Sequence, residues 1–490
     1  MDEFEIAEAL GDWGVEPGPL YLTLASAIDE LARARRLRPG DRLPAERRLA
    51  RALHVSRGTV VSAYDTLRRR GRLVTRQGSG TVVTDDPDGG RMSPVDRDRG
   101  GPASQQGFIT GTTPGDGIID LKAAVWTGLD DLVAEDFTLS PGRWKEVLVG
   151  SGYHPGGLAV LRELIATRLT GQGLPTGPDE VMITHGAQEA IVLICRTYLG
   201  ADGLAVSAEL TYPGFMDIVH ALGGRVHTAP MDAMGVDVAR LDRAVRRVRP
   251  EVVYLMPNVQ NPTGSVMPDE RRRELERVAG RWSDTVVIDD RTLAELTEDG
   301  HVPQPLGAGC AEPMANVLTV GSASKSLWGG LRIGWIRGRP EQIAGLTRMG
   351  SVLNFGVSVA GQMIAADLLP SDEGLTPGRR AELIRRRDTM VEAVGEKLPD
   401  WRFKVPAGGL SLWVKLPGVE ARRFVDMAQR YGVSLAPGEV SSPDGWWRDH
   451  LRLPFGHPRG ELIEAVDRMA DAWADLTHRA PATRRHGVIV

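Results

Sequence analysis

Cysteine is nearly absent from this chain of 490 residues: Cys195 and Cys310 stand alone and far apart. Two such thiols exclude a disulfide scaffold and give no metal-ligand spacing, and they fit a reducing cytoplasm. Long hydrophobic runs are also missing. No apolar stretch approaches the roughly 20 residues that a membrane span requires. The first residues, Met1-Asp2-Glu3-Phe4-Glu5, are acidic and lack the basic start of a secretory signal, so a cytoplasmic protein without membrane partners is expected. Lysine is the third scarcity. Of the 59 Lys and Arg, only six are Lys, at 122, 145, 325, 397, 404 and 415.

What is present is uneven. Residues 1–16 hold six acids and no base, whereas residues 17–85 hold fourteen Arg against six acids, a local charge of +8 in a chain whose net charge is −5. A basic N-terminal block on a weakly acidic body points to nucleic-acid binding by that block. Its pattern predicts a helix over 20–36 (Leu20, Leu24, Ala27, Ile28, Leu31 inward), a second from about Ala45 to Leu53 and a third from about Arg57 to Arg70. Two strands, 72–75 and 80–83, then flank Gln77-Gly78-Ser79. Three helices and a hairpin make a winged helix-turn-helix over 17–85. Residues 86–117, rich in Gly, Pro, Asp, Ser and Gln, read as a linker. From 118 to 480, helical patterns alternate with short apolar runs (181–184, 204–206, 252–255, 286–288, 317–320). This predicts an α/β domain with a mostly parallel sheet and a smaller α+β lobe over about 380–475.

Chemistry enters at Lys325, within Ser322-Ala323-Ser324-Lys325-Ser326 and ahead of Gly329-Gly330-Leu331-Arg332. An amine set among small hydroxyl residues is suited to a Schiff base with an aldehyde cofactor such as pyridoxal 5'-phosphate. Asn261-Pro262-Thr263-Gly264 follows one predicted strand, and Asp289-Asp290 ends another. Ser56 is placed to cap the third N-terminal helix, and Arg57 stands at the start of that helix, where an arginine suits guanine edges.

Two resemblances organise these motifs. Leu43-Pro44-Ala45-Glu46-Arg47-Arg48-Leu49-Ala50, Val55-Ser56-Arg57-Gly58-Thr59-Val60 and Gly78-Ser79-Gly80-Thr81-Val82-Val83 together resemble the GntR-type winged helix. That resemblance implies contacts to a double-stranded DNA operator from Arg42, Arg47, Ser56, Arg57, Thr59 and the wing-tip Gln77. The ordered set Asn261, Asp289, Lys325, Arg332 resembles the fold-type I, class-I aminotransferases over about 118–480, so the whole chain resembles the MocR-type transcriptional regulators.

The second resemblance implies a role for each position. Lys325 would carry the cofactor, Asp289 would pair with its ring nitrogen and Asn261 would bind its 3-oxygen. Arg332 with Ser322 and Ser324, and the Gly186-Ala187-Gln188 turn, would hold its phosphate. Tyr212 would stack on the ring, and Tyr153 would serve the site of the partner in a homodimer. Arg452 would bind a carboxylate of an amino-compound effector, unless the cofactor is itself the signal. Relatives usually place a tyrosine just after the aspartate. Here Arg291 follows Asp289-Asp290 and is the candidate donor in its stead. Gly214 stands where some relatives carry a second arginine, so a dicarboxylate-like or γ-amino acid effector is not implied. The competing expectation is a working aminotransferase that carries a DNA-binding appendix.

Overall fold

The computed structural model describes residues 3–10, 13, 20–33, 37, 41–53, 55–69, 73–76, 80–83, 117–128, 134–308, 310, 314–369 and 374–478. The chain divides into two compact units, Met1–Gly101 and Pro102–Val490.

In the first unit, α2 (Leu20–Arg33), α3 (Glu46–Ala52) and α4 (Arg57–Arg69) precede an antiparallel hairpin of β1 (Leu73–Arg76) and β2 (Gly80–Val83). The segment before α3 joins this hairpin: Leu43 N donates to Thr81 O and Val83 N to Asp41 O. Leu24, Ile28, Leu31, Leu49, Val60, Ala63, Tyr64 and Leu67 close the core, as their helical spacing predicts. One element was not foreseen. The helix α1 (Glu3–Leu10) adds buried Ile6 and Leu10 to the same core, so the folded unit begins before residue 17. Its acidic composition hid a short apolar stripe.

The second unit is built on a seven-stranded sheet ordered β4-β12-β11-β10-β9-β5-β6. These strands are β4 (Val181–Thr184), β5 (Leu204–Ala208), β6 (Arg225–Ala229), β9 (Val252–Leu255), β10 (Val286–Asp290), β11 (Val317–Ser322) and β12 (Gly334–Arg337). All neighbours are parallel except β12, which runs antiparallel to both β4 and β11. The central strands are apolar and buried throughout because helices cover both faces. Side chains therefore sort by parity. Val252, Tyr254 and Ile288 pack with helices Ala187–Tyr198 and Pro213–Ala221. Val253, Leu255 and Val287 pack on the other face with helices Val238–Val248 and Asp269–Ala279.

Short strands complete the unit. β7 (Met231–Asp232) and β8 (Gly235–Val236) form a small hairpin, and β3 (Ile119–Asp120) pairs in parallel with β15 (Val433–Ser434). The smaller lobe is an antiparallel sheet ordered β13-β14-β17-β16, formed by β13 (Arg402–Phe403), β14 (Ser411–Lys415), β16 (Ala436–Pro437) and β17 (His450–Pro454). Helices Pro377–Lys397, Ala421–Arg430 and Arg459–His478 cover it. Trp401 sits in its core with its ring edge-on to Phe424 at 5.2 Å and to Trp473 at 5.4 Å. Trp401→Ala empties that aromatic junction and is expected to destabilise the domain by about 3–5 kcal/mol. Calorimetry should show a lowered unfolding temperature for the large unit, and an unchanged transition would contradict this packing.

Candidate functional site

Where the parallel strands end at their carboxyl edge, the loops enclose a cavity of about 270 Å³, in the crevice where α/β sheets place ligands. β4 delivers Gly186, whose φ of +89° turns the chain into helix Ala187–Tyr198 and aims that helix's first N–H groups at the cavity. Arg332, itself in the left-handed region at φ +54°, reaches the same turn and donates to His185 O at 2.6 Å. The approach is close. A methyl group added to Gly186 would meet the Arg332 guanidinium at 3.1 Å, and one added to Gly334 would lie 2.5 Å from the Gly186 carbonyl carbon. A helix N-terminus and an arginine fork converge here on one small volume, an arrangement suited to a phosphate.

Lys325 follows β11 and lines the cavity. Its Nζ donates to Ala124 O at 2.5 Å, and its carbonyl accepts from Trp126 Nε1 at 2.7 Å. Desolvation, reinforced by the Arg452 charge and opposed by Asp290, lowers its ammonium from the usual lysine range to about 8. Asp290 ends β10 on the cavity wall, where it accepts from Tyr254 OH at 2.5 Å and from Thr292 N at 2.8 Å. Burial pushes its carboxyl above the usual carboxylate range. Tyr254 stacks on Phe215, with ring centres 4.3 Å apart.

Asn261 lines the cavity behind a cis Asn261–Pro262 bond. Tyr212 precedes helix Pro213–Ala221 and donates to Gln188 Oε1 at 2.9 Å. Arg452, from β17, donates to Asn261 Oδ1 at 3.4 Å and to Lys122 O at 2.5 Å. Desolvation lowers this guanidinium to about 10.

In the N-terminal unit, Ser56 Oγ accepts Thr59 N at 3.1 Å at the start of α4 and lies 2.9 Å from Thr59 Oγ1. Arg42, Arg47 and Arg57 are exposed. Arg57 meets Glu46 at 3.5 Å, a solvent-facing pair too weak to withhold the arginine from another partner. Tyr64 OH donates to Pro44 O at 2.9 Å and locks α4 against the turn before α3. Gln77 lies outside the described residues.

Comparison with known proteins matches both units. Residues 20–83 match the bacterial regulatory proteins of the gntR family, and residues 150–469 match the aminotransferase class I and II family. The HTH-type transcriptional regulator YisV of Bacillus subtilis is 30% identical over 462 residues, spanning 88% of this chain and 91% of its own length. The chain belongs to the MocR-type regulators. The HTH-type transcriptional regulator NorG of Staphylococcus aureus is 24% identical over 86% of this chain and 97% of its own. Among solved structures, the α-aminoadipate aminotransferase LysN of Thermus thermophilus superimposes with a TM-score of 0.64. It is 26% identical and covers 74% of this chain and 94% of its own, and its structure holds N-(5'-phosphopyridoxyl)-L-leucine.

As a MocR-type chain it joins a GntR-type regulator to an aminotransferase-like domain, and its geometry revises several assignments. Asp289 does not reach the cavity. It is fully buried on the opposite face of β10, accepting from Asn258 Nδ2 and Leu306 N, each at 3.0 Å. Neighbours on a strand point to opposite faces, so Asp290 is the carboxylate that does. Arg291 shares the Asp289 side and is no substitute for the usual tyrosine. It is spent on Asn258 Oδ1, Gln172 Oε1 and Pro303 O, each at 2.8 Å. Ser322 and Ser324 brace the lysine turn rather than the cavity wall: Ser324 N donates to Ser322 Oγ, which donates to Ile333 O. Tyr153, expected to serve a partner's site, is exposed against Phe355 and does not line the cavity of its own chain, which leaves that expectation unchanged.

Gln260 and the stretch Ala123–Val125 line the cavity unforeseen. The parity of β10 was available as a signal, since Ile288 and Asp290 share a face. Nothing in the composition of 121–128 marked that stretch as a wall.

Gly334→Ala is expected to push the β12 backbone away from Gly186 and to weaken phosphate-bearing ligands at the helix terminus by about tenfold or more. Phosphate or pyridoxal phosphate binding followed by calorimetry checks this.

Proposed function

We propose that this regulator binds duplex DNA through its winged helix and holds pyridoxal 5'-phosphate in the large-domain cavity, with cofactor or an amino compound as the signal. The observation that carries the reading is the convergence on one cavity of a lysine with a depressed ammonium, a buried carboxyl and an arginine at a helix N-terminus.

The donor set fits the group. Arg332 and the N–H groups at Ala187 and Gln188 would hold a phosphate dianion. Asp290, costly to leave charged and alone, would be balanced by a protonated ring nitrogen. Asn261 would donate to the ring oxygen, and Tyr212, fixed by Gln188, would cover the ring. When bound, the cofactor supplies an aldehyde that condenses with amines and a ring that withdraws electrons. Lys325 contributes an amine that is half neutral near pH 8 rather than near 10, so it attacks as a free base close to neutrality. Arg452 presents a desolvated charge to a ligand carboxylate.

Tyr153 and Phe355, both exposed and with ring centres 5.4 Å apart, leave apolar area on the large unit, the kind that a second copy would cover. A homodimer is the assembly this supports, with Tyr153 offered to the partner's site. No helix of the described residues is long and apolar enough to cross a membrane. The cytoplasm is the compartment in which such a protein would meet its operator.

Purified protein mixed with pyridoxal phosphate should gain a visible band that borohydride removes, and Lys325→Ala should lose the reducible link while remaining folded. A reducible band unchanged in Lys325→Ala would falsify the assignment. The sign of the pH effect follows from the lowered amine: capture by wild-type apoprotein should accelerate as pH rises and level off above about 8. A rate still climbing steeply at pH 10 would contradict it.

For DNA, Arg57→Ala is expected to cost about 1–3 kcal/mol and to relax sequence preference. Arg47→Ala should weaken binding more evenly, and affinity should fall steeply with salt. Salt-insensitive binding, or binding indifferent to Arg57→Ala, defeats this part. Multiple turnovers with a keto-acid acceptor at unchanged operator affinity would favour a working aminotransferase instead.

A further inference from the structure

Three successive carbonyls at the cavity lysine are gripped by side chains that do not line the cavity. Lys325 lies in a single helical turn, closed by Leu327 N on Ala323 O at 2.8 Å. A turn this short leaves its last carbonyls without partners of its own. Here Trp126 Nε1 donates to Lys325 O at 2.7 Å. Arg379 Nη1 donates to Ser326 O at 2.6 Å and to Leu327 O at 2.5 Å.

Both donors depend on helix Pro377–Lys397, which covers the smaller lobe. Arg379 is buried in its first turn, where its own N–H donates to the capping Thr376 Oγ1 at 3.3 Å. Arg386 follows seven residues later, on the same side of the helix, and is buried too. Its guanidinium lies 5.3 Å from the centre of the Trp126 ring and donates to Thr127 O at 2.8 Å, to Gly128 O at 2.9 Å and to Gly456 O. One helix thus holds the lysine turn twice, directly through Arg379 and through Trp126 under Arg386.

The consequence is one of aim. Nζ stands about 6 Å from its own Cα, so a backbone tilt of about 10° carries it about 1 Å. A misplacement of that size at a reacting atom can cost about a hundredfold in rate. The tip of the side chain is tied as well, by Nζ on Ala124 O. A reacting nitrogen must turn its lone pair to the incoming carbon, whereas the grip on the carbonyls can stay intact throughout.

We propose that Arg379 is a positioning residue for Lys325: by holding Ser326 O and Leu327 O it sets the angle from which the amine meets an aldehyde ligand. The proposal rests on the cofactor reading above. In that reaction Nζ forms a double bond to the aldehyde carbon. Both amine hydrogens leave with the aldehyde oxygen as water, and no electrons are gained or lost. Because the helix belongs to the smaller lobe, the aim of the amine depends on how that lobe is seated.

A double-mutant cycle on the full chain tests this, combining Arg379→Gln with Lys325→Ala and using pyridoxal phosphate as the probe. Calorimetry gives affinity, and growth of the borohydride-reducible band gives the rate of capture. With Lys325 present, Arg379→Gln should lower affinity and slow capture by about tenfold or more. In the Lys325→Ala chain the same change should alter affinity by less than about twofold, because no amine is left to aim. Inorganic phosphate should bind the wild type and Arg379→Gln alike. Arg379→Lys, which keeps a donor for one carbonyl, should recover part of the rate, and it carries the cycle if Arg379→Gln does not fold. An equal loss of affinity in both backgrounds overturns the proposal, since the arginine would then support the whole cavity. So does an unchanged capture rate in folded Arg379→Gln. A wild-type chain that forms no reducible band overturns the underlying cofactor reading instead, so the two failures are told apart.

Discussion

A sheet covered by helices on both faces has no open side, and its chemistry is confined to the strand ends. In this chain that constraint places everything else. β4, β9, β10 and β11 finish at one edge, and the residues at or just beyond their ends (Gly186, Asn261, Asp290 and Lys325) meet there although more than 130 positions separate the first from the last. The same covering helices remove water from the Lys325 amine and the Asp290 carboxyl, which drives the first towards its neutral form and makes a positive partner favourable for the second.

Parity along β10 then divides two acids of identical type into two tasks. Asp290 faces the cavity and is held by Tyr254 and Thr292. Asp289 faces away, into a buried cluster where Asn258 bonds Asp289, Arg272 and Arg291 together. That cluster fixes the end of β10 and the loop that leads to Asn261. Both faces thus serve the cavity, one by contact and the other by holding its frame. The arginine that follows the acids belongs to the frame and does not line the cavity.

Much of this was legible in the residues. The helical spacing of Leu24, Ile28 and Leu31, the capping serine before Arg57 and the paired strands of the wing are local patterns, and local patterns determine a winged helix. The apolar runs at 181, 204, 252, 286 and 317 each became a strand because a strand buried on both sides must be apolar throughout. β6 and β12 were missed: Arg225–Ala229 lies at the sheet edge, and Gly334–Arg337 is four residues long with a glycine and an arginine at its ends.

By itself the sequence determined the two units, five of the seven strands of the large sheet, and the lysine, arginine and asparagine that line the cavity, since all of these follow from short-range pattern and motif. Which of two adjacent acids enters the cavity, where Arg291 goes, and that the backbone of 121–126 occupies the two cations were decided by the tertiary structure. The reason is physical. A strand's register sets the face of each side chain, and register is fixed by partners distant in sequence. A backbone carbonyl, for its part, carries no sequence signature, so its role as a ligand-like acceptor appears only once the chain has folded around it.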